Sequence, residues 1–372
     1  MHIHDILISL FLGKHPGPLS LSVWAQIVRV LRYQQCLARF SWRLEQAGLS
    51  ADLPEFVINH LKNAELIAQK QNFQVHYEAA LLQRLLKPLS AHLLFLKGAA
   101  YSLSDHDTVG RGRTYSDIDL LVDKTSLPMI EQELCLYGFF AEDLDEYDQK
   151  YYREWSHEIP PLRHSNRGTV LDIHHNLLPL VTGRAPDISI FFRHIQTTST
   201  GYTLFSPAAM FLHSTIHLIL SEEIKHGFRD LTDLYLLLEQ NQHTDFWHEL
   251  LSLSIDSGFT TELCLALRYL EKILGFVIPD EVQQKLNSYQ PAAFQLIYLD
   301  FIFMRKLMPT HPCLANHSDL VADWLLLLRG HFLKMPFHIL LKHLGRKLSI
   351  QLITALLGSN FFDKKEENHR DK

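Results

Sequence analysis

The sequence predicts an α+β protein in which a small mixed β-sheet core is flanked by helical N-terminal and C-terminal regions. Three observations predict it. Residues 1–90 carry apolar side chains at spacings of three and four, residues 91–203 switch to short apolar runs between turn residues, and residues 204–362 return to Leu-rich helical periodicity. At 372 residues, 47% of them hydrophobic and 20% charged, the chain can bury a substantial core, which excludes a peptide or a solvated tail.

In order along the chain, a His15-Pro16-Gly17-Pro18 turn precedes Val30, Tyr33, Leu37, Phe40 and Leu44, whose spacing predicts an amphipathic helix stopped near Gly48. A second helical stretch carries Val57, Leu61, Ala64 and Ala68, then Val75, Ala79, Leu82 and Leu86, and ends before Pro88. Three strands are expected at 93–97, 116–122 and 169–175. Between the last two lies a helix with Leu127, Ile130, Leu134 and Tyr137 on one face, Thr125 or Ser126 as N-cap, Pro128 in its first turn and Gly138 past its end. Beyond Pro207 the helical pieces break at Gly258, Pro279, Pro291, Pro309 to Pro312 and Pro336, and the charged residues 363–372 read as a disordered tail.

Lys plus Arg number 35 and Asp plus Glu 41, a formal charge of −6. With 23 His, about a quarter of them protonated at pH 7, the sum comes close to zero and argues neither for nor against a nucleic-acid partner. Cys36, Cys135, Cys264 and Cys313 lie far apart with no C-x-x-C pair, so neither a zinc ribbon nor a disulfide framework is expected. The N-terminus has no basic region ahead of its apolar run, so a cytoplasmic location is expected. Stable membrane insertion is not expected either. The apolar stretch 204–221 holds Pro207, His213 and His217, and 325–344 holds Arg329, Lys334 and Pro336.

The chemistry-bearing segment is R-T-Y-S-D-I-D-L-L-V at 113–122. Strand alternation sets Ile118, Leu120 and Val122 on one face and Asp117, Asp119 and Leu121 on the other, with the two carboxylates roughly 6.5 to 7 Å apart at their Cα atoms. Oxygens so placed can converge on one or two hard cations, and a divalent pair clamps attacking and leaving oxygens in phosphoryl-type transfer. Asp-x-Asp alone carries little information. Its company carries more. The segment F-L-K-G-A-A at 95–100 reads as a strand ending on Lys97-Gly98 and entering a helix, a turn that can hold a phosphate beside the Lys97 charge. The segment T-V-L-D-I-H-H at 169–175 sets Asp172 and His174 on one strand face, where Asp172 can supply a third carboxylate.

This order of elements resembles the polymerase-β-like nucleotidyltransferase superfamily, and within it the uncharacterised nucleotidyltransferase family. The resemblance covers about residues 90–240. It rests on Phe95-Leu96-Lys97-Gly98, Arg113, Asp117-Ile118-Asp119, His157-Glu158-Ile159-Pro160-Pro161-Leu162 and Val170-Leu171-Asp172-Ile173-His174. One departure is that Lys97-Gly98 stands where the superfamily usually has Gly-Ser. The resemblance implies that Asp117 and Asp119 hold Mg²⁺ (or Mn²⁺), that Asp172 holds the catalytic ion and helps deprotonate an acceptor hydroxyl, and that an NTP is the substrate. Lys97, Gly98, Arg113 and His174 are then expected to contact the nucleotide. The acceptor, whether small molecule, protein or RNA, is not specified, and neither is the oligomeric state. The alternative is a catalytically inactive nucleotide-binding or interaction module with the same fold.

Weaker candidates lie further on. His213 and His217, at i and i+4, can share one helix face, and near Asp230 or Asp233 they would suit a metal-dependent phosphohydrolase. Lys225, Arg229 and Asp233 are candidates for lining the cleft from the helical side. The basic stretch 331–347 mixes cations with aromatics and reads first as an amphipathic helix with a wet face. Walker A, dinucleotide and G-x-S-x-G signatures are missing.

Overall fold

The computed structural model describes residues 2–106, 108–141 and 149–334. Four helices open the chain: α1 (Ile3–Phe11), α2 (Leu21–Tyr33), α3 (Leu37–Gln46) and the long α4 (Glu55–Leu86). Ser20 caps α2 by accepting from Val23 N–H. The spacing from Val30 to Leu44, which predicts one helix, spans two. The chain turns at Gln34–Cys36, where Gln35 takes φ 56°. Gln34 is buried and donates Nε2–H to the Thr310 carbonyl at 2.9 Å, which pins the turn to the C-terminal region. Val30, Leu37, Phe40 and Leu44 are buried in one core on either side of the break, whereas Tyr33 is exposed.

Five strands make the central sheet: β1 (Leu93–Phe95), β2 (Ile118–Val122), β3 (Phe139–Ala141), β4 (Leu162–His164) and β5 (Val170–His174). Their order is β1-β2-β5-β4-β3. β2 and β5 pair in parallel and the other neighbours are antiparallel, so the sheet is mixed, as expected. β2 is buried along its whole length, the pattern of a central strand covered on both faces. After β1 comes α5 (Lys97–Leu103), and after β2 comes α6 (Leu127–Leu136), with Pro128 in its first turn and Gly138 at φ 87° beyond its end. β3 and β4 escape the sequence reading because each is three residues long and too short to show a period. The same holds for the hairpin of β6 (Ile195–Thr197) and β7 (Thr203–Phe205), which follows the short α7 (Ile188–Phe192).

Among the described residues, seven α-helices follow: α8 (Pro207–Ile219), α9 (Gly227–Gln240), α10 (Thr244–Ser257), α11 (Thr260–Leu274), α12 (Asp280–Leu286), α13 (Ala293–Lys306) and α14 (His317–Lys334). The expected breaks at Gly258, Pro279, Pro291 and Pro309 to Pro312 all fall between helices. Pro336, residues 335–347 of the basic stretch and the charged tail 363–372 lie outside the described residues. Among the described residues no helix is long and apolar enough to cross a membrane.

The buried cluster is contiguous from α1 to α14. Phe11 of α1 meets Phe40 of α3 at 5.9 Å and, edge-on, Phe228 and Tyr235 of α9 at 6.2 and 5.4 Å, so N-terminal and C-terminal helices share one aromatic core. Arg39 of α3, 1% exposed, crosses the same boundary. It donates to the Val109 carbonyl at 2.7 Å and to Thr232 Oγ1 at 2.8 Å, and pairs with Asp233. The loop leading toward β2 is thereby held against α3 and α9.

Candidate active site

β1 hands the chain to the site through one strained residue. Leu96 N–H still pairs with the Asp119 carbonyl at 3.0 Å. Lys97 then adopts φ 47°, a left-handed conformation rare for a residue with a Cβ, and its Nζ reaches Asp119 Oδ1 at 2.7 Å. Gly98 follows because a Cβ there would stand 3.0 Å from the Tyr115 ring. α5 begins at this turn and is seven residues long.

Asp117 precedes β2 and Asp119 is its second residue. Parallel register sets Asp119 directly beside Asp172 of β5, about 4.8 Å away at the Cα atoms. The three carboxylates, from segments far apart in sequence, are electrostatically coupled. For Asp119, burial opposes ionisation, but the Lys97 ammonium and the His174 ring outweigh it and hold the carboxyl far below the usual range. Asp117 is raised by burial and then by Asp119. Asp172 is pushed up to about 7, first by burial and then by Asp119, Asp117 and Glu158. Its Oδ1 is buried with no hydrogen-bond partner.

His174 lies between two carboxylates, with Nε2 3.0 Å from Asp119 Oδ1 and Nδ1 3.2 Å from Glu158 Oε2. Glu158 is a site residue that the strand pattern missed. It lies outside the five strands and reaches the site through a single antiparallel bridge to His174. The signal that could have found it is the H-E-I-P-P-L segment containing it.

The face made by Asp117, Asp119 and Asp172 offers only oxygen ligands, holds an orphaned carboxylate oxygen, and carries more negative charge than Lys97 balances. That donor chemistry fits a hard divalent cation such as Mg²⁺ or Mn²⁺. Among the described residues, the group of three ligating side chains whose ligand atoms all lie within 4.8 Å of one another is His157, Glu158 and His174, not the three aspartates.

A cleft of about 780 Å³, counted out to its open mouth, lies over this face. Lys97, Gly98, Arg113, Asp117 and Asp119 line it from the sheet side. Ser214 and His217 of α8 and Arg229, Asp230 and Asp233 of α9 line it from the helical side. Asp172 is not among the lining residues and joins the other two through the sheet register. Arg113 is buried, with Nε 3.0 Å from Asp233 Oδ2 and Nη2 3.7 Å from Asp230 Oδ1, so its guanidinium ties the strand approach to α9 while forming the cleft wall. Of the three helical-side candidates, Arg229 and Asp233 line the cleft, whereas Lys225 is exposed and pairs with Glu223 at 3.5 Å. His213 is buried against the Phe205 ring at 5.8 Å. Burial, then the charges of Lys97 and His174, lower its pKa to about 3. No ligand group forms from His213, His217, Asp230 and Asp233 among the described residues. That removes the geometric basis of the phosphohydrolase alternative.

No curated protein and no solved structure matches the chain. A family model described as uncharacterised nucleotidyltransferase matches residues 21–275, a span that takes in the helices α2 to α11, the whole sheet and every residue of the acidic face. The chain, with its mixed sheet, its paired acidic strands and its helical cleft wall, belongs to this nucleotidyltransferase family.

Proposed function

We propose that the protein transfers an NMP group from an NTP to an acceptor oxygen with the help of Mg²⁺ or Mn²⁺ held by Asp117, Asp119 and Asp172. The observation that carries this reading is the parallel register of Asp119 with Asp172, which makes one acidic face from two strands and leaves a buried carboxylate oxygen without a partner. A divalent ion bound there supplies charge neutralisation for the phosphates and polarises the oxygens around phosphorus.

The chain's own groups account for the rest. The Lys97 ammonium offsets charge on the triphosphate, and the backbone at Gly98 leaves room for it. Arg113, fixed by Asp233, adds positive potential to the cleft wall. His174, oriented by Glu158, steadies Asp119. The acceptor oxygen bonds to the α-phosphorus, the bond from that phosphorus to the bridging oxygen breaks, and pyrophosphate leaves. Asp172, beside Asp119 across the parallel strands, takes the acceptor proton on a carboxylate oxygen. A second cavity shares Asp117 with the first and is bounded by Gln71 and Gln74 of α4 and by Thr169 and Val170. We assign the larger cleft to the nucleotide and this cavity to the acceptor.

One observation favours the alternative of a catalytically inactive nucleotide-binding module: the ammonium of Lys97 already neutralises Asp119. The experiment that separates the two supplies the full chain with each NTP, labelled at the α-phosphate, and Mg²⁺, and follows pyrophosphate release and label transfer. The proposal expects turnover that falls to background in Asp117→Ala/Asp119→Ala. NTP binding that is indifferent to chelation, without pyrophosphate release, would establish the inactive module instead.

A further inference from the structure

Beside the acidic face lies a second donor set of different chemistry. His157, Glu158 and His174 present one carboxylate oxygen and two imidazole nitrogens within 4.8 Å of one another. Glu158 Oε2 is 3.2 Å from His174 Nδ1 and 3.9 Å from His157 Nε2, and the two imidazole rings lie 5.2 Å apart, tilted by 37°. The backbone fixes this arrangement. Glu158 bridges His174, Ile159 N–H donates to the Ile173 carbonyl at 3.0 Å, and His175 N–H donates to the His157 carbonyl at 2.8 Å. The segment is thereby strapped against β5.

We propose that His157, Glu158 and His174 bind a borderline transition-metal ion, Zn²⁺ by preference, at a site separate from the oxygen-only face of Asp117, Asp119 and Asp172. Two imidazoles and one carboxylate suit zinc and its neighbours in the transition series, whereas Mg²⁺ takes oxygen ligands and keeps several waters. Three protein ligands leave a position for water or a further oxygen. The ring that would ligate through Nδ1 presents its other nitrogen, Nε2, to Asp119 Oδ1 at 3.0 Å. A carboxylate accepting from the far side of a ligating histidine is the usual device that fixes ring tautomer and orientation at metal centres. Access is open, because the side chains of His157 and Glu158 keep 20% and 25% of their surface exposed. The ion would sit one imidazole away from Asp119, and the site stands whether or not the acidic face performs catalysis.

The test uses the full chain, stripped with a chelator, with exposed Cys135 and Cys313 replaced by serine so that thiols contribute nothing. Zn²⁺ binding is followed by calorimetry, and Co²⁺ binding by its visible ligand-field absorption. The expected result is one equivalent of Zn²⁺, with affinity reduced by at least about a hundredfold in His157→Ala and in Glu158→Gln. The Asp117→Asn protein should retain it. Circular dichroism and melting curves verify that each variant is folded. Stoichiometric binding lost in Asp117→Asn but kept in His157→Ala and Glu158→Gln would overturn the proposal by assigning the ion to the aspartates, and failure of the parent chain to bind Zn²⁺ or Co²⁺ would overturn it outright.

Discussion

Lys97 combines two costs at one position: a left-handed backbone, worth about 1 to 2 kcal/mol for a residue with a Cβ, and a partly desolvated ammonium. The compensation is the buried Asp119 carboxylate, which has His174 as its other side-chain partner. Lys97→Met is therefore expected to destabilise the metal-free protein by about 2 kcal/mol in chemical denaturation, somewhat less than the loss of a fully buried pair. Added Mg²⁺ should narrow the difference, and equal stability of variant and parent would contradict this. His213 gives a pH signature. Its imidazole is protonated below about pH 6.5 in the unfolded chain but only below about 3 when folded, so the unfolded state binds more protons between those values. Stability is then full above about pH 6.5 and falls by up to about 1.4 kcal/mol per pH unit as pH drops toward 3. His213→Leu should flatten that acid limb in denaturation curves recorded at stepped pH. At this scale strand alternation set the spacing of Asp119, Asp172 and His174, whereas Asp117, expected within the strand, lies just before it. Strand alternation did not reach Glu158, whose position depends on an isolated bridge rather than on a period, and only the H-E-I-P-P-L segment marked it.

Among the elements, α3, the loop before β2 and α9 meet at one carboxylate. Asp233 pairs with Arg39 and with Arg113, all three buried. Asp233→Asn leaves two guanidinium groups short of a counter-charge, and a loss of about 3 to 5 kcal/mol is expected in urea unfolding. An unchanged midpoint would show that the ion pairs are incidental. The loop itself admits no bulk: Gly112, at φ 65°, lies so close to α3 that a Cβ would stand 2.3 Å from Arg39 N. Gly112→Ala should therefore also lower the melting temperature. Helix existence was legible in the sequence because long amphipathic periods survive in isolation, and the helix breaks at Gly258 and the prolines followed from backbone chemistry. The break at Gln34–Cys36 was not legible, since the Gln34 side chain that pins it donates to the carbonyl of Thr310, far along the chain.

For the whole molecule, the α+β architecture could be read from the change in texture near residue 90 and again near 204. What could not be read is how the pieces close on one another. The aromatic contacts of Phe11 with Phe228 and Tyr235 of α9 join residues about two hundred positions apart, and α8 and α9 line the same cleft as Lys97 and Asp119. Asp117 and Asp119 thereby come to line a cleft opposite α8 and α9. In the proposed reaction Asp119 and Asp172, neighbours across parallel strands, act together on one cation. Mn²⁺ binding by electron paramagnetic resonance, measured on the parent chain and on Asp172→Asn in the presence of NTP, tests this most directly because the substitution preserves shape and removes one charge. The account predicts Mn²⁺ affinity at least about tenfold weaker in the variant, with pyrophosphate release reduced by at least about a hundredfold. Mn²⁺ affinity and turnover unchanged from the parent would contradict it.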